Sequence, residues 1–270
     1  MSTLEEFRAE MGGMIRFASP HPGIVVTDPQ GVRHGVIGDL HLGLETSILR
    51  TSPLFSSFLS QDVIDRVRNF IEENKLRNLV VLGDVKHSIV RPPFEEKNLV
   101  RRLLEVFHEM EAAISIIRGN HDAGLQYLVK EIPEVRLSPE PWIEIPTAEG
   151  GRMLIAHGHR RLPSSASKPS THVVLGHLHP CLRLTLEAKR PAILRVFLGF
   201  DATMGGENKS VLVLPAFNPL GCYLFSRGEL KKRLAALRDF DFEDVEIRAF
   251  DLAGNFLGDL GFLRESGGLD

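Results

Sequence analysis

Three observations predict an α/β protein built from two packed, mixed β-sheets with helices on the outside. Between Ile24 and Ile117, short apolar runs alternate with helix-period segments, the order expected of parallel strands joined by helical crossovers. Beyond Tyr127 the chain breaks into short strands separated by Gly and Pro, which predicts a second, mostly antiparallel sheet. Five predicted strands also end in loops rich in Asp, Asn and His, and in α/β folds such strand tips carry functional groups on a rigid scaffold.

Ile24-Val25-Val26 and Val32 to Ile37 flank the turn signal Asp28-Pro29-Gln30-Gly31, so a hairpin is expected there. Its second strand runs into Gly38-Asp39-Leu40-His41-Leu42-Gly43. The mixed apolar and Ser/Thr stretch Leu44 to Leu59 reads as an irregular loop. Val63, Ile64, Val67, Phe70 and Ile71 then share one stripe of a helix over Gln61 to Asn74. Leu79 to Leu82 is a buried strand ending at Gly83-Asp84-Val85-Lys86-His87. Pro92-Pro93 opens a helix in which Leu99, Val100, Leu103, Leu104, Phe107 and Met110 share a face. The strand Ala112 to Ile117 leads to Gly119-Asn120-His121-Asp122.

The second sheet is expected from Val135 to Leu137, Trp142 to Ile145, Met153 to Ala156, Val173 to Leu175, Leu182 to Leu186, Ile193 to Leu198 and Val211 to Leu214. A last helix places Leu230, Leu234 and Leu237 in register, and Val245 to Phe250 suits a closing edge strand. No linker or long repeat divides the chain, so residues 1–270 read as a single domain.

A net charge of −3 gives no general pull toward nucleic acid or anionic membrane, so a phosphate-bearing substrate must be attracted locally. Cys181 and Cys222 make neither a disulfide framework nor a zinc-thiolate site, and a reducing cytoplasm is the plain reading. Residues 1–13 lack the apolar core of a signal peptide, and no apolar run reaches the ~20 residues of a membrane span.

The loops carry Asp39 and His41, Asp84, Asn120 and His121, His157 and His159, and His177 and His179. With His87 they hold seven of the eleven histidines. The i, i+2 spacing of Asp39/His41 and of His177/His179 puts each pair on one side of an extended backbone. Mixed oxygen and nitrogen donors without thiolate suit Mn²⁺, Fe²⁺, Co²⁺ or Zn²⁺ better than Ca²⁺. Seven such donors exceed one ion and fit two sharing a carboxylate. Two ions about 3.5–4 Å apart clamp a phosphoryl group and bring a bound water's pKa towards ~7.

Asp39-x-His41, Gly83-Asp84, Gly119-Asn120-His121-Asp122, His157 and Gly176-His177-x-His179 together resemble the five motifs of the calcineurin-like metallophosphoesterases, in order and spacing from Gly38 to Pro180. Within that superfamily the chain looks most like the small SbcD-related phosphoesterases. The resemblance implies a four-layer αββα fold and two divalent metal ions, manganese foremost, with iron, zinc, cobalt or nickel as alternatives. It implies that Asp39, His41 and His179 hold one ion, that Asn120, His157 and His177 hold the other, and that Asp84 bridges. His121 would protonate the leaving oxygen or stabilise the phosphorane-like charge, Asp122 would orient its imidazole, and His159 and Arg160 lie where a phosphate oxygen could be met. One departure is Val85-Lys86-His87, where many relatives have a carboxylate or aromatic. Lys86 and His87 are therefore read either as substrate contacts or as a pair on the rim.

Each motif alone has a bland explanation as a turn or a solvated pair; their joint order does not. His21, His34, His108 and His172 read as surface or packing histidines, and Lys231-Lys232-Arg233 as an exposed helix face. The expected function is hydrolysis of phosphodiesters, with DNA and RNA among the candidate substrates, by attack of metal-bound hydroxide. Its alternatives are a phosphomonoesterase or small-nucleotide phosphatase and, from another class, a non-catalytic protein-binding scaffold. No membrane partner is expected, and the sequence leaves oligomeric state open.

Overall fold

A computed structural model of the chain describes residues 14–49, 53–90, 92–130, 132–147, 150–167, 170–184, 192–224, 230, 232–241 and 245–260. Its first sheet runs in chain order through β1 (Ile15–Phe17), β2 (Ile24–Thr27), β3 (Arg33–Ile37), β4 (Asn78–Val81), β5 (Ala113–Ile116) and β6 (Val135–Leu137). β1, β2 and β3 pair antiparallel, while β3 to β6 are parallel. The β2–β3 turn forms because the Asp28 carboxylate accepts the N–H groups of Gln30 and Val32, an Asx-turn.

Helical crossovers join the parallel strands: α1 (Leu44–Leu49) and α2 (Pro53–Glu73), then α3 (Phe94–Glu109), then α4 (Gln126–Val129). The expectation of an irregular segment from Leu44 to Leu59 is corrected, since α1 and the start of α2 occupy most of it. Ser and Thr lower helix propensity there, but Pro53 suits the first turn, where its missing N–H is not needed. Val135–Leu137 likewise belongs to the first sheet rather than the second. Three residues are too few to say which sheet they join, and the short α4 crossover returns them beside β5.

The second sheet has the order β16 (Phe256–Asp259), β15 (Arg248–Phe250), β12 (Phe197–Met204), β13 (Glu207–Val213), β9 (Ser170–Leu175), β8 (Arg152–Ala156) and β7 (Trp142–Pro146). It is mostly antiparallel, but β8, β9 and β13 run parallel. β15 is not the closing edge; β16 lies outside it. β10 (Pro180–Leu184) and β11 (Ala192–Arg195) do not join this sheet either. The left-handed residues His177 and His179 turn the chain away just before Pro180, and β10 pairs instead with β11 and β14 (Tyr223–Leu224). That pairing brings Cys181 and Cys222 to a Cα separation of 5.6 Å, and a disulfide joins them. A spacing of 41 residues hid this contact, and the cysteine argument for a reducing cytoplasm falls with it.

Strand alternation sorts side chains into four layers. Leu79 and Val81 face α2 and α3, where Val67, Phe70, Leu103 and Phe107 cover the first sheet. Val80 and Leu82 face the other way, into a shared interior with Met153, Ile155, Val174, Phe197 and Leu212 of the second sheet. Leu154, Val173 and Leu175 point to the far side, under Leu230, Leu234, Leu237 and Phe240. Those three leucines are buried as their spacing requires, but the helix is interrupted: Leu234 has φ −92 and ψ 86, and a short 3₁₀ turn, Ala235–Leu237, follows. Lys231 lies outside the described residues. No helix among the described residues is long and apolar enough to cross a membrane.

The inter-sheet layer carries the fold's stability. Phe197→Ala, which empties a fully buried site between the sheets, is expected to cost about 3–5 kcal/mol. Ile193→Ala on the exposed face of β11 is expected to stay within about 0.5 kcal/mol. Urea unfolding of the two variants checks the contrast.

Candidate metal centre

All five polar loops leave the carboxyl ends of parallel neighbours: β3, β4 and β5 in one sheet, β8 and β9 in the other. The backbone fastens them to one another before any side chain is considered. Asp39 N–H donates to the Gly83 carbonyl, and the His41 and Leu42 N–H groups donate to the carbonyls of Asp84 and Val85. Gly176 N–H donates to the His157 carbonyl. Gly83 must be glycine: its φ is +86°, and a Cβ there would collide with the backbone of Ile117 and Gly119.

Seven non-glycine residues have positive φ among the described residues. Five of them are Asp39, His41, Asp84, His177 and His179; the other two, Lys75 and Glu111, follow helix ends. Left-handed backbone is disfavoured for side chains other than glycine, and its clustering in one place marks a functional constraint.

The side chains converge. Asp39 Oδ1 lies 3.1 Å from His179 Nε2, and His179 Nε2 lies 3.3 Å from His41 Nε2. His157 Nε2 lies 3.2 Å from Asn120 Oδ1. Asp84 Oδ2 stands 3.4 Å from both His41 Nε2 and His157 Nε2, between the two groups. Asp39, His41 and His179 form one set with donor atoms within 4.8 Å, and Asp84, His157 and His177 form another. The two sheets are tied together here as well: Asp39 Oδ2 accepts the His177 N–H, and His157 Nδ1 donates to the Leu82 carbonyl.

The electrostatics follow from two buried carboxylates. Burial alone would raise Asp39 and Asp84, but the imidazoles of His179, His157 and His41 hold both below the ordinary carboxyl range. For His157 burial opposes charge, yet the hydrogen bond and attraction of Asp84, with Asp39 behind it, raise its pKa to about 9. Burial and repulsion by neighbouring imidazolium lower His41 to about 3 and His177 to about 4. These two rings are neutral at pH 7, the form that coordinates metals. Asp39 Oδ1 is buried and faces His179 Nε2, which itself faces His41 Nε2 rather than a donor. Such a set is satisfied by cations, so the residues fit divalent ions.

Other expected residues take different positions. Asp122 does not touch the His121 imidazole. Its carboxylate accepts the N–H groups of Asp84 and Gly119 at 2.8 Å and of Val85 at 2.9 Å, pinning the loop that carries Asp84. His121 is held instead by the backbone carbonyl of His87, which accepts from Nδ1, and its Nε2 lies 4.0 Å from Asp84 Oδ2. Lys86 is fully buried, so it is neither a rim residue nor a substrate contact. The His87 ring stacks on His121 and meets Ser47 Oγ at 3.0 Å. His159 lies 5.0 Å, ring to ring, from His157; burial, with His157 and Arg160 adding repulsion, lowers it to about 4. Exposed Arg160 donates from Nε to His159 Nε2. His21, His34, His108 and His172 bond elsewhere.

The sequence reading missed Asn218. It is buried, donates to the Leu40 and His41 carbonyls, and accepts from Leu220 N–H, bracing the first loop from the far side. Asn218-Pro219, a few residues beyond the apolar end of β13, is a turn signal that could have drawn notice.

A family model described as calcineurin-like phosphoesterase matches residues 32–199. No curated protein matches the chain. Among solved structures, a crystal structure of Pseudomonas putida nuclease MPE aligns with a TM-score of 0.54 at 17% identity, covering 88% of this chain and 92% of that one. At that identity the likeness concerns the fold.

Two outcomes are expected. Asp122→Asn removes an acceptor from buried N–H groups and should destabilise the protein by about 1–3 kcal/mol, with weaker divalent binding in chelator competition. Stability of chelator-treated protein should also fall on both sides of about pH 6.5, read as Tm against pH. The His157 contribution, present below its unfolded value of 6.5, is lost as pH rises through about 9. His41 and His177 bind protons more readily when unfolded, so their contribution is lost as pH drops from 6.5 towards 3–4.

Proposed function

This chain belongs to the calcineurin-like phosphoesterase family, and from that premise we propose that it is a two-metal phosphodiesterase. Family membership makes it a metal-dependent phosphoester hydrolase; the number of ions, manganese as their identity, the diester preference and the role of each residue are the proposal. One observation carries it. Asp84 Oδ2 lies 3.4 Å from a nitrogen of each histidine set, where one carboxylate serves both. Asp39, His41 and His179 would hold one ion, Asn120, His157 and His177 the other, and Asp84 both. When bound, such ions supply positive charge for the phosphoryl oxygens and make water more acidic.

The chain's own residues do the rest. His121 presents Nε2 toward the Asp84 side while Nδ1–H is committed to the His87 carbonyl. As the P–O bond breaks, the leaving oxygen takes the proton from Nε2. Half-buried His159 and exposed Arg160, joined by the Arg160 Nε to His159 Nε2 hydrogen bond, would meet a phosphate oxygen. Non-catalytic scaffolds typically have lost metal ligands or the proton-donating histidine, whereas all seven donors and His121 are present in this sequence. The shared interior between the sheets supports reading residues 1–270 as one domain.

A specific observation sets small phosphoesters ahead of polymeric nucleic acid, although the structural neighbour is named a nuclease. A nuclease groove needs several free cations along a backbone track. Of five cations that could line such a groove, Lys86, Arg91, Arg160, Arg161 and Lys168, Lys86 is buried and Arg161 is held in a two-bonded pair with Asp239. Arg91 and Lys168 lie outside the described residues. Arg160 alone of the described candidates is an exposed cation without a carboxylate partner.

With Mn²⁺ the protein is expected to hydrolyse bis-p-nitrophenyl phosphate and to lose that activity on chelation. On a diester with an alkoxide leaving group, His121→Ala should lower kcat by about 10²–10⁴-fold with metal content unchanged. Activity indifferent to chelation would remove the mechanism. Oligonucleotide binding should respond weakly to salt; a steep dependence would restore the nuclease reading.

A further inference from the structure

Residues 87–90 form no regular structure, and Ile89 and Val90 project into solvent at 58% and 77% exposure. Burial therefore does not hold this segment, yet the His87 carbonyl within it receives the Nδ1–H of His121. Two side chains hold it from beneath. Lys86, fully buried, donates from Nζ to the carbonyls of Ser88 and, at 3.3 Å, Val90. Glu96, at the start of α3 and 5% exposed, accepts the Ser88 N–H at 3.1 Å on Oε1 and the Ser88 hydroxyl at 2.8 Å on Oε2. On the other flank His87 N–H donates to the Leu42 carbonyl at 3.1 Å. The peptide that meets His121 is thus clamped on both sides.

We propose that Lys86 and Glu96 are positioning residues for the proton donor: by clamping Ser88 and Val90 they fix the His87 carbonyl, and with it the tautomer and orientation of His121. The inference rests on the reading of His121 as the group that protonates the leaving oxygen. A buried ammonium is costly to desolvate, and an apolar side chain would fill the same space. What the charge adds is a tether for two backbone carbonyls that no strand among the described residues pairs with. A carbonyl, unlike a carboxylate, accepts the Nδ1 proton without competing to take it. In the reaction the P–O electron pair goes to the leaving oxygen, which receives the Nε2 proton. The imidazole is left neutral with its proton on Nδ1, still bonded to the same carbonyl. If that carbonyl drifts, the ring is free to turn or to adopt the other tautomer, and Nε2 no longer faces the leaving group.

The test uses Lys86→Met and Glu96→Gln in the full chain with Mn²⁺, and two diesters that differ in leaving group. A p-nitrophenolate departs without a proton, whereas a nucleoside alkoxide needs one. The variants are expected to lose about tenfold or more in kcat on the alkoxide substrate and less than about threefold on the p-nitrophenyl ester, with KM and metal content unchanged. Equal losses on both substrates, or none, overturn the proposal. Long-range ¹H–¹⁵N spectra of histidine-labelled protein, with His121 identified by its loss in His121→Gln, give a readout independent of turnover. Recorded on the neutral ring, the form left after proton transfer, they should show the Nδ1–H tautomer in wild type and a mixture in the variants; an unchanged spectrum overturns the proposal. If wild type hydrolyses neither ester, the two-metal reading fails, and the spectra still decide this one. Should Lys86→Met not fold, Glu96→Gln, nearly isosteric with the native side chain, carries both comparisons.

Discussion

Two carboxylates, Asp39 and Asp84, are buried to within 1% exposure in one pocket, and the rest of the site follows from that. Ionised carboxyl groups withdrawn from water require compensation by donors or cations. Backbone N–H groups supply part of it: His177 for Asp39 and His121 for Asp84. Imidazoles supply the remainder, with one ring, His157, raised to about 9 by the carboxylate beside it. A proton on His157 and a divalent cation compete for the same negative charge, so affinity for metal and stability without it are linked. The surrounding histidines that stay neutral have no such role and are free to donate lone pairs.

The topology explains why residues so distant in sequence can meet. Parallel strands place all their carboxyl ends on one edge, and packing two sheets face to face brings two such edges together. A cross-sheet bond from His157 to Leu82, and another from His177 to Asp39, close the edge over the shared apolar layer. Loops with this many backbone ties to their neighbours behave as extensions of the sheet rather than as mobile connections.

How much of this was legible in the sequence depends on range. Helix faces and the parallel half were readable because the periodicity of Val63 to Ile71 and of Leu99 to Met110 is local. The five motifs named the residues that converge, since strand-then-polar-loop is also a local signal. Pairings over long separations were not readable. Nothing in three residues assigns Val135–Leu137 to the first sheet, and nothing local joins Cys181 to Cys222 or sends Asn218 to the carbonyls of Leu40 and His41. The role of Asp122 was misjudged for a related reason. Adjacent to His121 in sequence, it reaches backbone N–H groups of a neighbouring strand's loop, which no spacing rule reveals.

The left-handed residues connect stability to chemistry. Each such backbone costs on the order of 1–3 kcal/mol, and five lie in this one pocket. They persist because the ladder between the first two loops and the inter-sheet core leave no relaxed alternative. The same conformations aim the carboxylates and imidazoles inward rather than along the strands. In a fold without that rigid support the backbone would relax, the side chains would turn outward, and the buried charge of Asp39 and Asp84 would have nothing to face. Strain, burial and charge are therefore one constraint here, and the apolar layer around Phe197 stabilises the geometry of the pocket as much as the fold.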